Sequence, residues 1–532
     1  MFIVCHVFAA NKTVKQPKLV VGIVVDQMRY DFLYRYANRY GNDGFNRLLR
    51  DGNSCENMFI NYLPSYTAPG HTCIYTGSVP AIHGIASNEW IDQYTGKGVY
   101  CTDDSTVNHV GGTPKAGKMS PRNLLSSTIT DELRLSTNFR SKTISISVKD
   151  RASILPGGHT ANAAYWLDDT MGVFMSSNYY MKELPQWVSA FNQQELASKY
   201  LKGEWNLLYA PDSYLQSTSD ANNYEGKFLG EKESRFPHKV SSLKRSDIRK
   251  TPFGNSIVFD FAREALQHEQ LGKNSVPDFL CLSFSSTDYV GHMYGPNSME
   301  IEDTYLRFDA ELSDFLHDLD EMVGAGNYTL FLTADHGVAH NPQFLIDKQV
   351  PAGYFYGTKV SAELNQALKK SFGSDRLIKQ IGENYIWLNH ALIDSLHANE
   401  SAVRKAICGL LKTHPEIQFA IDMEDPNLNR VPMPIREMIV NGYHATRSGD
   451  ILLILEPAWL DAYSTTGTTH GTWNPYDTHI PMLWYGWGIQ KGRTIRQTSM
   501  TDISATLATL LHIQMPNGCI GQAIPEVING ED

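Results

Sequence analysis

No stretch of the chain approaches the roughly 18 consecutive apolar residues that a helix needs to cross a bilayer, so no membrane span is expected. Cysteine is scarce: seven residues, Cys5, Cys55, Cys73, Cys101, Cys281, Cys408 and Cys519, with no C-x-x-C pair. That spacing excludes a disulfide scaffold and a zinc ribbon, and leaves open one or two disulfides in an exported chain. Positive charge is in deficit, with 46 Lys and Arg against 57 Asp and Glu and a net charge of −11. Bulk charge therefore speaks against binding to a nucleic-acid duplex. There is no internal repeat and no low-complexity tract.

What is present is an ordinary globular composition over 532 residues, 42% hydrophobic and 19% charged. Such a chain can bury a large core, and its length suits about three domains or one large α/β domain with insertions. The opening MFIVCHVFAA is apolar and ends in small residues, like the tail of a secretory h-region without its basic n-region. Residues 1–17 are accordingly expected to be an export-signal remnant or a disordered N-terminus, and the protein to be periplasmic or secreted.

Lys18–Val25 is a continuous β-branched run without alternation, the signature of a strand buried on both faces of a parallel sheet. Lys142–Val148, Asp278–Phe284 and Tyr328–Thr333 read the same way. Helical patterns lie between them at Phe45–Arg50, Pro69–Thr76, Leu124–Leu135, Ser256–Gln270 and Thr304–Met322. The alternation predicts an α/β fold: a doubly wound, mainly parallel sheet with helices on both faces. Residues 167–250, rich in Tyr, Asn, Ser and Trp, read as a surface insertion. Residues 343–460 show three helices each followed by a strand (Ala362–Ser371 and Tyr385–Asn389, Ser401–Thr413 and Ile417–Met423, Ile435–Tyr443 and Asp450–Glu456), which predicts an inserted α+β accessory module. The catalytic domain is expected to comprise 18–342 and 461–532, resuming at His479–Tyr485 and closing with helix Asp502–His512.

Each main-sheet strand runs into polar, chemically capable residues: Asp26; Lys149, Asp150 and Arg151; Asp288; and Asp335 with His336. Ligands of open α/β sheets bind outside the carboxyl ends of the strands, so four such ends together point to a site. Asp288 and His292 are spaced to share one face of a helical turn. His470 sits in a Gly/Thr-rich loop. Three Asp and three His suit Zn²⁺, with carboxylates able to bridge to a second ion. Thr67, in PSYTAPGHT, is placed at or just before the N-cap of the helix that Pro69 opens, where a hydroxyl beside a metal can become a nucleophile. The Asn88 amide, Lys149 and Arg151 can donate to the same anion. Read singly, Thr67 is an N-cap, Asp288–His292 a capping pair, and Lys149 with Arg151 a solvated turn. His71, His83, His159, His340 and His479 flank the motifs without an assigned role.

These motifs, in this order, resemble the alkaline phosphatase superfamily, in its branch of phosphate-irrepressible, broad-specificity periplasmic phosphatases with a threonine nucleophile. The likeness runs from about Lys18 to Val527 through SYTAPGHT, HGIASNEW, VKDRASILPGGH, STDYVGHMYGP, TADHGVAHNP and TTHGTWNPYDTHIPMLWYG. It implies two Zn²⁺, one held by Asp288, His292 and His470, the other by Asp26, Asp335, His336 and the Thr67 oxygen. Asn88, Lys149 and Arg151 map to the groups that grip the phosphoryl oxygens. The implied activity is hydrolysis of small-molecule phosphate monoesters through a phosphothreonine, in a chain expected to be a monomer. The superfamily's sulfatases need Cys or Ser in C/S-x-P-x-R, whereas this chain has TAPGH. Its threonine phosphodiesterases and nucleotide pyrophosphatases are the alternative. They typically lack the Lys-x-Arg pair, which would satisfy the third terminal oxygen that only a monoester carries. A metal-binding protein with a degenerate site is the remaining alternative.

Overall fold

A computed structural model describes residues 15–425, 428–461 and 464–529. The segment Met1–Ala10, on which the export expectation rests, lies outside them, as does Cys5. Strand Leu19–Val25 is buried along its whole length between Asp278–Phe284 on one side and Tyr328–Thr333 on the other, both parallel to it. Thr143–Ser147 continues the parallel order beyond Asp278–Phe284. Every residue of these four strands is buried, which explains their unbroken apolar runs.

Successive side chains of a strand face opposite sides of the sheet, so Phe279 and Phe284 point to opposite faces. Tyr75, from helix Thr67–Thr76, packs on Phe279 with ring centroids 6.0 Å apart. Phe259, from helix Phe253–His268, packs on Phe284 at 4.2 Å. Helices therefore cover both faces. Gly22 lets the first of them approach: a Cβ there would lie 2.4 Å from the Tyr75 hydroxyl and 2.6 Å from the Phe331 ring.

The flanks of the sheet are mixed rather than parallel. Met482–Gly486 runs antiparallel to Tyr328–Thr333 and to Asn53–Phe59, and Phe174–Ser177 runs antiparallel to Ala163–Leu167. The His479–Tyr485 run divides at Pro481 into His479–Ile480 and Met482–Gly486, because proline cannot donate to the ladder. Strands Asn53–Phe59 and Gly492–Ser499 were not expected; their polar sequences, NSCENMF and GRTIRQTS, carry no apolar run. Within 167–250, Phe174–Ser177 joins the sheet, and Val188, Phe191 and Trp205 enter the main core. The helix expected from Leu124 starts at Ile129, where Thr128 and Asp131 form a capping box.

Residues 378–455 contain a second, antiparallel sheet, ordered Ile378–Gly382, Tyr385–Leu388, Ile451–Leu455, Ile417–Asp422. Ile386 and Leu388 face helices Gly357–Phe372 and Glu400–Leu411 through Val360, Leu364 and Val403. The alternate residues Tyr385 and Trp387 join a cluster with Leu63, Ile85 and Trp90, which precede or follow the Thr67 helix. The module thus lays one face of its sheet on the segments that carry Thr67 and Asn88. The six described cysteines are all free thiols, so none of the disulfides left open by the sequence forms among the described residues.

Candidate metal-assisted active site

The register of the four parallel strands makes the site. Ser147, Ser283, Val24 and Thr333 stand in one row across the sheet. Two residues beyond that row come Lys149, Asp26 and Asp335, and helix Ser286–Tyr294 brings Asp288 to the same edge. Strands about 4.8 Å apart leave these side chains no choice but to meet.

Lys149 Nζ donates to Asp26 Oδ2 at 3.0 Å and to Asp288 Oδ2 at 2.6 Å. His292 Nε2 lies 3.1 Å and His470 Nε2 3.7 Å from Asp288 Oδ1. His336 Nε2 is 3.2 Å from Asp335 Oδ2 and 3.4 Å from the Thr67 hydroxyl. The rings of His336 and His470 stack with centroids 3.4 Å apart. The structure therefore brings together Asp26, Thr67, Lys149, Asp288, His292, Asp335, His336 and His470.

Asp288, His336 and His470 present ligand atoms within 4.8 Å of one another, and so do Asp26, His71 and Asp335. His336 thus stands between the two expected sets. The donor set fits divalent cations on three counts. Three buried carboxylates face one ammonium among the described residues, and Asp335 Oδ2 has no hydrogen-bond partner. The Nδ1 atoms of His292, His336 and His470 each lie 2.9 Å from a backbone carbonyl, of Thr468, Gly337 and Ser65. A carbonyl can only accept, so each Nδ1 carries a proton and Nε2 is the atom turned to the carboxylates, the one a metal would take, as in metal-ligating histidines.

Electrostatics agree. Burial works to raise the Asp288 carboxyl, yet His292, Lys149 and His470 outweigh it and hold it well below the usual range. Burial and the neighbouring Asp26 push Asp335 well above it. Burial lowers His336 to about 4, keeping the imidazole neutral. One ammonium cannot sustain three adjacent carboxylates, whereas added divalent charge would.

Thr67 is the first helical residue rather than the cap or its predecessor; Tyr66 is the N-cap, and Pro69 occupies the third position. Proline is tolerated there because no N–H of the first turn has an intrahelical partner. Asn88 Oδ1 accepts the Ala68 N–H at 3.0 Å, which satisfies one of those donors and ties Asn88 to Thr67. Arg151 donates through Nη1 to the Tyr100 hydroxyl at 3.1 Å, and its buried Nε has no partner. A cleft of about 1020 Å³ opens beside Lys149 and Arg151, walled by Tyr100, Trp166, Arg249 and Tyr289.

Three residues of the site have no role assigned from the sequence: Gln27, Gly291 and His71. Gln27, at φ 64°, donates through Nε2 to Asp288 Oδ1 at 2.7 Å and through its backbone to Asp335 Oδ1 at 3.1 Å. It follows Asp26 directly, but nothing in the neighbouring sequence marks it as part of the site. Gly291 makes room for it, since a Cβ there would lie 1.9 Å from Gln27 Oε1. His71 bonds the Thr67 carbonyl through Nδ1 and Ser283 Oγ through Nε2, bracing Asp26. His83, His159, His340 and His479 bond partners outside the cluster.

The chain matches the family described as type I phosphodiesterase / nucleotide pyrophosphatase over residues 20–477. It is 48% identical to alkaline phosphatase PhoV of Synechococcus elongatus, covering 97% of this chain and 94% of that one. Identity to alkaline phosphatase PafA of Elizabethkingia meningoseptica is 45%, over 99% and 98% of the two chains. A protein of Myroides odoratus named calcium-transporting ATPase is 51% identical over 98% and 96%. The crystal structure of PafA superposes with a TM-score of 0.95 over 97% of this chain and 100% of that one, and a PafA variant with a threonine, an asparagine, a lysine and an arginine replaced superposes at 0.94. By sequence, fold and the convergence of its strand ends, the chain belongs to the type I phosphodiesterase / nucleotide pyrophosphatase family of the alkaline phosphatase superfamily, together with the PafA and PhoV alkaline phosphatases.

Proposed function

We propose that the protein is an alkaline phosphatase that hydrolyses phosphate monoesters of broad structure at Thr67, through a phosphothreonine. The observation that carries this reading is the pairing of Lys149 with Asp26 and Asp288 in the cluster that holds the Thr67 hydroxyl, with Arg151 two residues on and lining the same cleft. A monoester has three terminal oxygens, and two cations beside the nucleophile suit its dianion; a diester carries an organic group in that place. Asp288, His292 and His470 would hold one Zn²⁺, and Asp26, Asp335, His336 and the Thr67 oxygen a second. Bound there, the two ions would supply Lewis acidity, favouring the ionised Thr67 hydroxyl and neutralising phosphoryl and leaving-group charge.

The chain's own groups do the rest. Thr67 Oγ1 attacks phosphorus in line; the new P–O bond forms as the ester P–O bond breaks, and the proton given up by the hydroxyl ends on the departing alcohol. Water then displaces Thr67 and releases inorganic phosphate. Asn88, Lys149 and Arg151 donate to the phosphoryl oxygens as charge redistributes. The replaced Thr, Asn, Lys and Arg of the PafA variant have the same Thr-to-Asn and Lys-to-Arg spacings as these four residues, which supports the assignment. The apolar Met1–Ala10 segment supports a periplasmic or secreted location.

The test is the ratio of monoester to diester turnover with a common leaving group in the zinc-equilibrated enzyme. Monoester turnover should dominate and a chelator should abolish it. Lys149→Ala with Arg151→Ala should lower monoester kcat/KM by at least about 100-fold and diester kcat/KM by less than about tenfold. Equal losses for both classes would refute the assignment.

A further inference from the structure

The turn between Ile378–Gly382 and Tyr385–Leu388 consists of Glu383 and Asn384, with Gly382 paired to Tyr385 across it. Both turn residues have positive φ, 52° and 61°, as a two-residue hairpin of matching twist requires. Asparagine suits such a position. Glutamate does not, because its Cβ crowds the following carbonyl and its longer side chain lacks the local hydrogen bonds that favour Asn and Asp. A side chain held in the left-handed region against its preference calls for a role. The Glu383 carboxylate accepts the hydroxyl hydrogen of Ser87, a buried residue adjoining Asn88. Asn384 donates through its side-chain amide to the Gly471 carbonyl at 2.6 Å, beside His470. One turn of the module therefore clasps two loops of the site.

Resting on the proposed role of Asn88, we infer that Glu383 is a positioning residue for phosphoryl transfer, acting through Ser87 to fix the loop that presents the Asn88 amide. Asn384 anchors the same turn from the other side, so Glu383 approaches Ser87 from a fixed point. Donors displaced by even about 1 Å lose much of their effect on a transition state.

The test uses the full-length, metal-loaded enzyme and the variants Glu383→Gly, Glu383→Gln, Asn88→Ala and Glu383→Gly with Asn88→Ala. Steady-state turnover of a phosphate monoester and thermal unfolding are measured for each. Glycine relieves the left-handed backbone, so Glu383→Gly should unfold at the same or a higher temperature while kcat falls about tenfold. Glu383→Gln keeps an oxygen for Ser87 and should stay within about twofold of wild type. The double variant should be no slower than Asn88→Ala alone. Unchanged kcat in Glu383→Gly, or independent multiplication of the two losses, overturns the inference alone. Unchanged kcat in Asn88→Ala overturns the role of Asn88 and the inference with it.

Discussion

The two large sheets of this protein solve different problems. In the central one, Leu19–Val25, Asp278–Phe284 and Tyr328–Thr333 are buried on every residue and aligned in parallel. In the smaller one, strands run antiparallel and the edge strand Ile417–Asp422 is partly exposed along most of its length. The first arrangement leaves no freedom to slip, because a one-residue shift would move every side chain to the opposite face. That rigidity puts Asp26, Lys149 and Asp335 in one row. The second tolerates exposure at its edge while its inner face leans on the loops carrying the remaining polar groups. Chemistry is delivered by the rigid sheet and trimmed by the looser one.

Substitutions can sharpen or break this contrast. The largest effect is expected at Thr67: Thr67→Ala should lower monoester turnover by at least about 10⁴-fold in steady-state assays. Its thermal midpoint should move by less than about 3 °C, since among the described residues the hydroxyl makes only a long contact to His336. Next, Gly22→Val would drive its side chain into Tyr75 and Phe331 in the central sheet, and should cost about 3 kcal/mol in chemical denaturation.

A smaller effect belongs to the module. His390 is raised to about 9 by Asp450, with Glu400 assisting against burial. Its folded-state pKa exceeds the ordinary 6.5, so its contribution is fully present below pH 6.5 and disappears as pH rises through about 9. Because the ring is partly exposed, solvent screening limits that contribution to about 1 kcal/mol. His390→Gln should lower the thermal midpoint near pH 6 and leave it level with wild type above pH 9.5. Smallest is Gly409→Ala, on the open face of helix Glu400–Leu411, where an added Cβ meets nothing within 4 Å. It should gain about 0.5–1 kcal/mol, the reverse of Gly22.

The sequence made the central strands legible for the reason that makes them rigid. Burial on both faces writes an unbroken apolar run, and Asp278–Phe284 and Tyr328–Thr333 have the bounds their sequences indicate. Strand Asn53–Phe59 left no such mark, because its place between Met482–Gly486 and Gly492–Ser499 is set by tertiary pairing rather than by its own composition. Helix Met299–Leu319 begins five residues before the periodicity suggested, at a Ser298 cap whose hydroxyl accepts the Ile301 N–H. Asp26, Asp288, Asp335 and their histidines could be picked out because each follows a readable strand or sits in a distinctive motif. Gln27 and Glu383 could not, since nothing local separates a glutamine after an aspartate, or a glutamate in a polar turn, from solvated surface. Only the fold brings the first to Asp288 and the second to Ser87.

The most direct measurement is the metal content of the zinc-equilibrated protein, compared with that of Asp26→Ala and Asp288→Ala. Two zinc ions per chain in the wild type, and one fewer in each variant, is the expected result. Wild-type protein that retains no zinc, or variants that bind as much as the wild type, would contradict a paired-cation site beside Thr67.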